Sequence, residues 1–164
     1  MAHEISSDYA GQELVLIVVL KGAFIFAADL ARSLGLPIEI DFVELASYSG
    51  VESTGRVEIK KDVETVMAGK NVLVVEDIVD TGITLDFLLR HLAGRGPKSL
   101  KVCTLIDKRE RRQIAVTVDY AGIVCNRGFL VGYGMDLDER CRELEAIYEV
   151  ADLPSCGGLN DNSM

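Results

Sequence analysis

Residues 14–20 read LVLIVVL, seven apolar side chains in succession, four of them β-branched. A strand with one face in water alternates apolar and polar residues. An unbroken run like this one fits a strand covered on both faces, as in a parallel sheet packed between helices. The residues that follow agree. Lys21-Gly22 breaks the run, and from Ala23 to Leu34 the apolar Phe24, Ala27, Ala28 and Ala31 recur at helical spacing, with Gly35 and Pro37 as stop signals. Ile38 to Leu45 predicts a second strand and Val57 to Ile59 a short returning one. A third core strand runs from Val72, followed by a helix over 83–92 that Gly94 and Gly96-Pro97 end. Leu100 to Ile106 is a further strand. This alternation predicts an α/β fold: a doubly wound, mainly parallel sheet flanked by helices. Such sheets bind ligands beyond the carboxyl ends of their strands. The pairs Lys21-Gly22, Glu76-Asp77 and Asp107-Lys108 all fall at such ends.

Composition narrows the function. A chain of 164 residues with 49% hydrophobic content suits one domain with a single sizeable core. A net charge of −9 argues against nucleic acid as a partner, because a phosphate backbone needs a basic surface. It leaves room for a small phosphorylated ligand. No apolar run reaches the length of a membrane span and the N-terminus lacks a secretory signal, so the expected compartment is the cytoplasm. The four cysteines show no metal-ligand spacing, and Cys103 and Cys125 read as buried small hydrophobes. Ser47 to Gly55 is polar and rich in Ser and Gly, as expected of a mobile loop. From Pro154 the chain reads as a polar, disordered tail over 154–164.

The segment with the most chemistry is VLVVEDIVDTGIT, residues 72–84. Acids at the end of a core strand are costly unless something offsets them. Asp80-Thr81-Gly82-Ile83-Thr84 lies between a strand and a helix N-terminus, where free N–H groups and the helix dipole favour an anion. The Gly-Lys-Ser/Thr ending of a Walker A loop is missing, and there is no G-x-G-x-x-G. The turn therefore reads as a cradle for one phosphate. Glu76 and Asp77 make sense if the ligand carries sugar hydroxyls and Mg²⁺ is present. Carboxylates there would also stabilise positive charge on a ribose ring during substitution at its anomeric carbon. The alternative is plain helix capping by Asp80 or Thr81, with Glu76 and Asp77 in solvent.

This segment resembles the phosphoribosyl-diphosphate signature of type I phosphoribosyltransferases. Together with LKGAFIFAADL, Ser47-Tyr48, LIDKRERR and VDYAGIVCNRGFLVGYGMDLDERCREL, it is similar to the hypoxanthine(-guanine) phosphoribosyltransferases from Tyr9 to Val150. The resemblance implies transfer of the 5-phosphoribosyl group from 5-phosphoribosyl 1-diphosphate to a 6-oxopurine, with Mg²⁺ as cofactor. It implies that Asp80, Thr81, Gly82, Ile83 and Thr84 hold the 5′-phosphate and that Glu76 and Asp77 meet the ribose. Asp80 is then also the base that takes the purine N7 proton. Lys108 donates to the purine oxygen, Phe129 and Ile78 sandwich the base, and Leu130 and Asp136 complete the purine set. Lys21, Gly22 and Arg142 meet pyrophosphate, with a non-proline cis peptide in that loop. Glu76, Asp77 and Asp136 are the implied metal-binding acids, and Ser47 and Tyr48 begin a lid. A core over about 9–125 and a small hood over about 126–150 make one domain spanning 1–153. A homodimer or homotetramer is implied as well.

Two departures from the family pattern stand out. The segment that precedes HEISSDYAGQELVL in relatives is absent or cut to a few residues, and Ile83 stands where some relatives carry Lys. A non-catalytic nucleotide-sensing protein of the same fold, or an inactive truncated relative, are the alternatives. The nucleic-acid-binding regulators of this fold need a basic face or an added helix-turn-helix, and this acidic chain has neither.

Overall fold

The apolar runs form a six-stranded sheet in the computed structural model, which describes residues 1–47, 57–126 and 128–150. Its strands are β1 (Leu14–Leu20), β2 (Ile38–Ser47), β3 (Val57–Lys61), β4 (Asn71–Val79), β5 (Ser99–Lys108) and β6 (Tyr120–Cys125), ordered β3-β2-β1-β4-β5-β6. All neighbours pair in parallel except the β2–β3 edge, which is antiparallel. The winding reverses between β1 and β4, and their ladder ends at the pair Val18–Val75. Beyond that pair the two strands part, which opens a crevice where ligands of doubly wound sheets bind.

Alternate side chains of each central strand serve opposite cores. Leu14, Leu16, Val18, Leu73 and Val75 pack with α2 (Phe24–Ser33) through Phe26, Ala27 and Leu30. Val15, Ile17, Val19, Val72 and Val74 pack with α3 (Ile83–Ala93) through Leu85, Leu88 and Leu92. The all-apolar sequence of β1 follows from this double coverage.

A short helix that the sequence pattern does not announce, α1 (Ala2–Asp8), joins the first core. Its Ile5 is fully buried. Asp8 accepts from the Tyr120 hydroxyl at 2.6 Å and from Lys101 Nζ at 3.2 Å, and the Lys101 ammonium lies over the rings of Tyr9 and Tyr120. Tertiary contact, more than propensity, holds seven helical residues in place.

The structure also moves several predicted boundaries. β4 runs through Glu76 and Asp77 to Val79, so the acids belong to the strand. β5 likewise includes Asp107 and Lys108. Ser47 is the last residue of β2, so the loop expected from Ser47 starts after it; Tyr48 to Gly55 and the tail from Pro154 lie outside the described residues. Cys103 is buried as expected, whereas Cys125 is only half-buried, on the edge strand. Among the described residues no helix is long and apolar enough to cross a membrane.

After β6 the chain forms a small antiparallel unit, β7 (Leu130–Val131) with β8 (Tyr148–Glu149) and two bridged turns, Gly132–Met135 and Leu137–Arg140. The Tyr133 hydroxyl donates to Asp29 on α2, and Gly134 packs against the backbone of Gly22. These contacts set the unit over the carboxyl ends of β1 and β4.

Candidate active site

The turn after β4 is built for something other than itself. Gly82 is the residue at the start of α3, in a left-handed conformation (φ 84°) and with no side chain of its own to cap the helix; Thr81 Oγ1 accepts from the Ile83 amide, but at a long 3.4 Å. Apart from that long contact, the start of α3 has no side-chain cap among the described residues, and it opens on a cleft of about 120 Å³. Glu76, Ile78, Asp80, Thr81 and Thr84 are among the residues lining it. A Cβ on Gly82 would stand 2.4 Å from the Ile114 carbonyl oxygen, so the turn is pressed against the segment after β5.

That segment holds the turn through a residue the sequence reading passed over. Arg112 Nε donates to the Asp80 carbonyl at 2.8 Å, and its Nη2 to the carbonyls of Val79 (2.9 Å) and Lys108 (3.0 Å) and to Asp107 Oδ1 (2.6 Å). The amides of Gln113 and Ile114 both donate to the Thr81 carbonyl. Burial pushes the Asp107 carboxyl up, but Arg112 and Arg109 outweigh it and leave it below its ordinary value. One guanidinium therefore ties the ends of β4 and β5 together. In the run KRERR nothing but the geometry separates this arginine from the exposed Arg109, Glu110 and Arg111.

Asp80 points into the space so framed. Its Oδ2 lies 4.0 Å from Lys108 Nζ and 3.5 Å from Arg111 Nη1, while its Oδ1 is buried without a hydrogen-bond partner among the described residues. Buried carboxylate oxygens are rarely left unpaired unless a ligand completes them. Lys108 is itself buried, its ammonium donating to the Gly128 carbonyl at 2.8 Å, next to Phe129 and Leu130. Phe129 is 57% exposed.

Glu76 is buried beside the half-buried Asp77. Burial, then the neighbouring Asp77 charge, pushes the Glu76 carboxyl well above its ordinary value of 4.5. The sign of the effect on stability follows. A group that holds its proton more tightly when folded destabilises the fold as pH rises from the unfolded toward the folded pKa. Glu76→Gln removes that burden. We expect its melting temperature at pH 8 to exceed that of the parent by about 2–4 °C, equivalent to about 1 kcal/mol for a chain of this size. The gap should close toward pH 4; thermal melts at both pH values measure it, and a lower melting temperature at pH 8 would contradict the assignment.

On the other side of the crevice the Leu20–Lys21 peptide is cis, placing Lys21 and Gly22 at the mouth. Gly22 lies so close to Asp77 that a Cβ there would come within 1.8 Å of Oδ2. Lys21 Nζ reaches Glu139 Oε2 at 3.0 Å. Arg142 Nη2 meets Asp136 Oδ1 at 2.9 Å and Glu139 Oε2 at 3.2 Å, and its Nη1 donates to the Gly134 carbonyl. The fold thus gathers Glu76, Asp77 and Asp80 to Thr84 with Lys108, and Lys21 and Gly22 with Arg142. Asp136 is engaged by Arg142, and among the described residues no three His, Cys, Asp or Glu side chains form a self-contained metal cage. Ile78 is half-buried near the end of β4, and Tyr48 lies outside the described residues.

The phosphoribosyl transferase domain family matches residues 1–138. A hypoxanthine-guanine phosphoribosyltransferase of Mycobacterium avium is 46% identical over 90% of this chain and 76% of its own. A hypoxanthine-guanine-xanthine phosphoribosyltransferase of Tritrichomonas foetus is 43% identical, over 90% of this chain and 81% of its own. The crystal structure of a hypoxanthine-guanine phosphoribosyltransferase from Bacillus anthracis superposes with a TM-score of 0.84 at 47% identity, covering 90% of this chain and 86% of that one. The glycine turn before α3, the acids before it and the doubly wound sheet beneath therefore have one common source: this chain belongs to the hypoxanthine(-guanine) branch of the type I phosphoribosyltransferases.

Proposed function

We propose that this protein is a purine-salvage enzyme. It transfers the 5-phosphoribosyl group of 5-phosphoribosyl 1-diphosphate to N9 of hypoxanthine or guanine, giving IMP or GMP and pyrophosphate. The observation that carries the reading is the Asp80 carboxylate at the start of α3: one oxygen is buried without a partner among the described residues, and the other faces Lys108 and Arg111. A phosphate and a proton donor are what such a place lacks.

Each group then has a task. The 5′-phosphate takes the turn from Asp80 to Thr84, through backbone N–H groups at the helix N-terminus and the Thr81 and Thr84 hydroxyls. The side chain of Ile83 is not needed for this, so the absence of a lysine there costs little. Glu76 and Asp77 accept from the ribose hydroxyls and offset the positive charge that grows on the ring as the diphosphate leaves. Asp80 takes the N7 proton as N9 attacks, acting as the general base. Lys108, oriented by the Gly128 carbonyl, donates to the 6-oxo group. Adenine presents N–H at that point and is rejected. Phe129 stacks on the base, with Ile78 and Leu130 closing the pocket. Lys21, the Gly22 backbone and Arg142 take the diphosphate. The segment from Ser47 through Tyr48 to Gly55 closes over the electrophilic ribosyl centre and keeps water from it.

The residues fit Mg²⁺. Glu76 and Asp77 are adjacent like-charged carboxyls, one of them buried, and a hard divalent cation relieves their repulsion. Mg²⁺ commonly takes one or two carboxylates and fills its shell with substrate phosphates and water. Asp136 would act from across the crevice. When bound, the ion supplies charge neutralisation to the departing diphosphate. We also assign residues 1–153 to one domain with a hood over about 126–150, a homodimeric or homotetrameric assembly, and the cytoplasm.

The test is direct. With Mg²⁺, the purified protein should convert hypoxanthine and 5-phosphoribosyl 1-diphosphate to IMP, followed by absorbance or chromatography. No product above background from hypoxanthine, guanine or xanthine would overturn the reading. Relatives of equal similarity carry names with different base ranges, so competition among the three bases measures preference.

A further inference from the structure

At the rim of the crevice, Leu137 and Arg140 exchange both backbone hydrogen bonds at 3.0 Å across a two-residue turn, Asp138-Glu139. Both central residues have positive φ, 51° and 63°. This is the geometry of a type I′ hairpin, which favours Gly, with no Cβ to clash, and Asn or Asp, whose short polar side chains hydrogen-bond locally. Glutamate is a poor choice for that backbone. Residues held in such conformations tend to be held for what they do. Glu139 is 65% exposed, so no packing requirement explains it either. What its side chain does is specific. Oε2 accepts from Lys21 Nζ at 3.0 Å and Arg142 Nη2 at 3.2 Å, while its own amide donates to Asp136 Oδ2 at 2.9 Å. Lys21 and Arg142 lie far apart in sequence and come from different parts of the fold. They are the two cations assigned above to diphosphate.

We propose that Glu139 is a displaceable internal anion, standing in for the diphosphate on Lys21 and Arg142 until the donor binds and returning to them as pyrophosphate leaves. The inference rests on the assignment of Lys21 and Arg142 to diphosphate. The pairing is of a kind that yields easily: Lys21 and Glu139 are 55% and 65% exposed, where ion pairs are weak and screened. A diphosphate carries more charge than one carboxylate and wins the two cations. Arg142 keeps its bonds to Asp136 and the Gly134 carbonyl when Glu139 lets go, so it stays aimed. Since the ligand competes with a closed form of its own site, its apparent affinity is reduced by the fraction of sites that stand open. The device holds two cations convergent in the empty enzyme and keeps the product from binding too tightly.

Glu139→Gln removes the charge and keeps the shape. Calorimetric titration of inorganic pyrophosphate, with Mg²⁺ present, should give a dissociation constant about threefold lower than the parent's, the scale of an exposed ion pair. Affinity for IMP, which does not reach these cations, should not change. Glu139→Gly, which also relieves the left-handed backbone, should tighten pyrophosphate to a similar degree. Equal or weaker pyrophosphate binding in both variants overturns the proposal. Lys21→Ala, at an exposed position, separates the two levels: it should weaken pyrophosphate. If it does so while the Glu139 variants bind no tighter, only the internal anion is wrong. If it leaves affinity unchanged, the diphosphate assignment itself falls.

Discussion

Replacing Asp80 by asparagine should lower kcat by about 10²–10⁴-fold, the usual contribution of a positioned acid or base. Donor affinity should stay within about threefold of the parent, because no hydrogen bond that shapes the phosphate turn is lost. The reasons lie in how the turn is built. Its conformation is fixed by backbone: Arg112 on the carbonyls of Val79 and Asp80, the amides of Gln113 and Ile114 on the Thr81 carbonyl, and Gly82 in its left-handed state. The Asp80 side chain contributes no bond to that frame, since Oδ1 has no partner among the described residues and Oδ2 only faces two cations. Lys108 loses a counter-charge at 4.0 Å but keeps the Gly128 carbonyl. Asparagine therefore fits the same space and lacks only the basicity to receive the N7 proton. Steady-state kinetics paired with calorimetric donor binding make the measurement. Undiminished turnover would remove Asp80 as the base, and a fall in donor affinity as large as the fall in kcat would make it a binding residue instead.

The parts of this site that could be read from sequence are those whose local pattern has one physical meaning. LVLIVVL needs cover on both faces, and that alone calls for helices on each side of a parallel sheet. A glycine between a strand and a helix, preceded by acids, marks an anion turn. Other features arise from contacts between distant residues and leave no local trace. α1 has one apolar anchor, Ile5, and stays helical because Asp8 meets Tyr120 and Lys101 from two strands far along the chain. Arg112 sits in a run of charges that looks solvated throughout, and only the meeting of β4 and β5 turns it inward. The run from Leu100 predicts a strand ending at Ile106, before the charges, and the structure carries it two residues further. Asp107 and Lys108 remain in β5 because Arg112 and the Gly128 carbonyl satisfy them. Glu139 is invisible for the opposite reason: sequence rules place glycine or asparagine at such a turn, so nothing marks a glutamate there until its partners are seen.

Gly22→Ala should lower kcat/KM by about 10²-fold, the loss that follows from misplacing reacting groups by about 1 Å. The backbone is not the obstacle, since Gly22 is not among the residues of positive φ. Space is. An added Cβ would stand 1.8 Å from Asp77 Oδ2 and 2.5 Å from its Cγ. Retreat in the other direction is blocked, because the Gly22 carbonyl already lies against Gly134, where a Cβ would come within 2.2 Å. Asp77 has to yield, and a carboxylate at the end of a short side chain can do so by rotating. The fold should then survive, with a loss of stability of about 1 kcal/mol, ordinary for a single substitution. Function should not survive so well, because the displaced group is the one assigned above to the ribose, beside Glu76. This separation of stability from activity has a sharper consequence. If Gly22 acts through Asp77, adding Asp77→Asn to Gly22→Ala should cost far less than Asp77→Asn costs alone, since coupled residues do not add. A double-mutant cycle on kcat/KM, with thermal melts of each variant, tests it. Full additivity, or an alanine variant with unaltered kcat/KM, would show that the close approach of Gly22 to Asp77 serves packing alone.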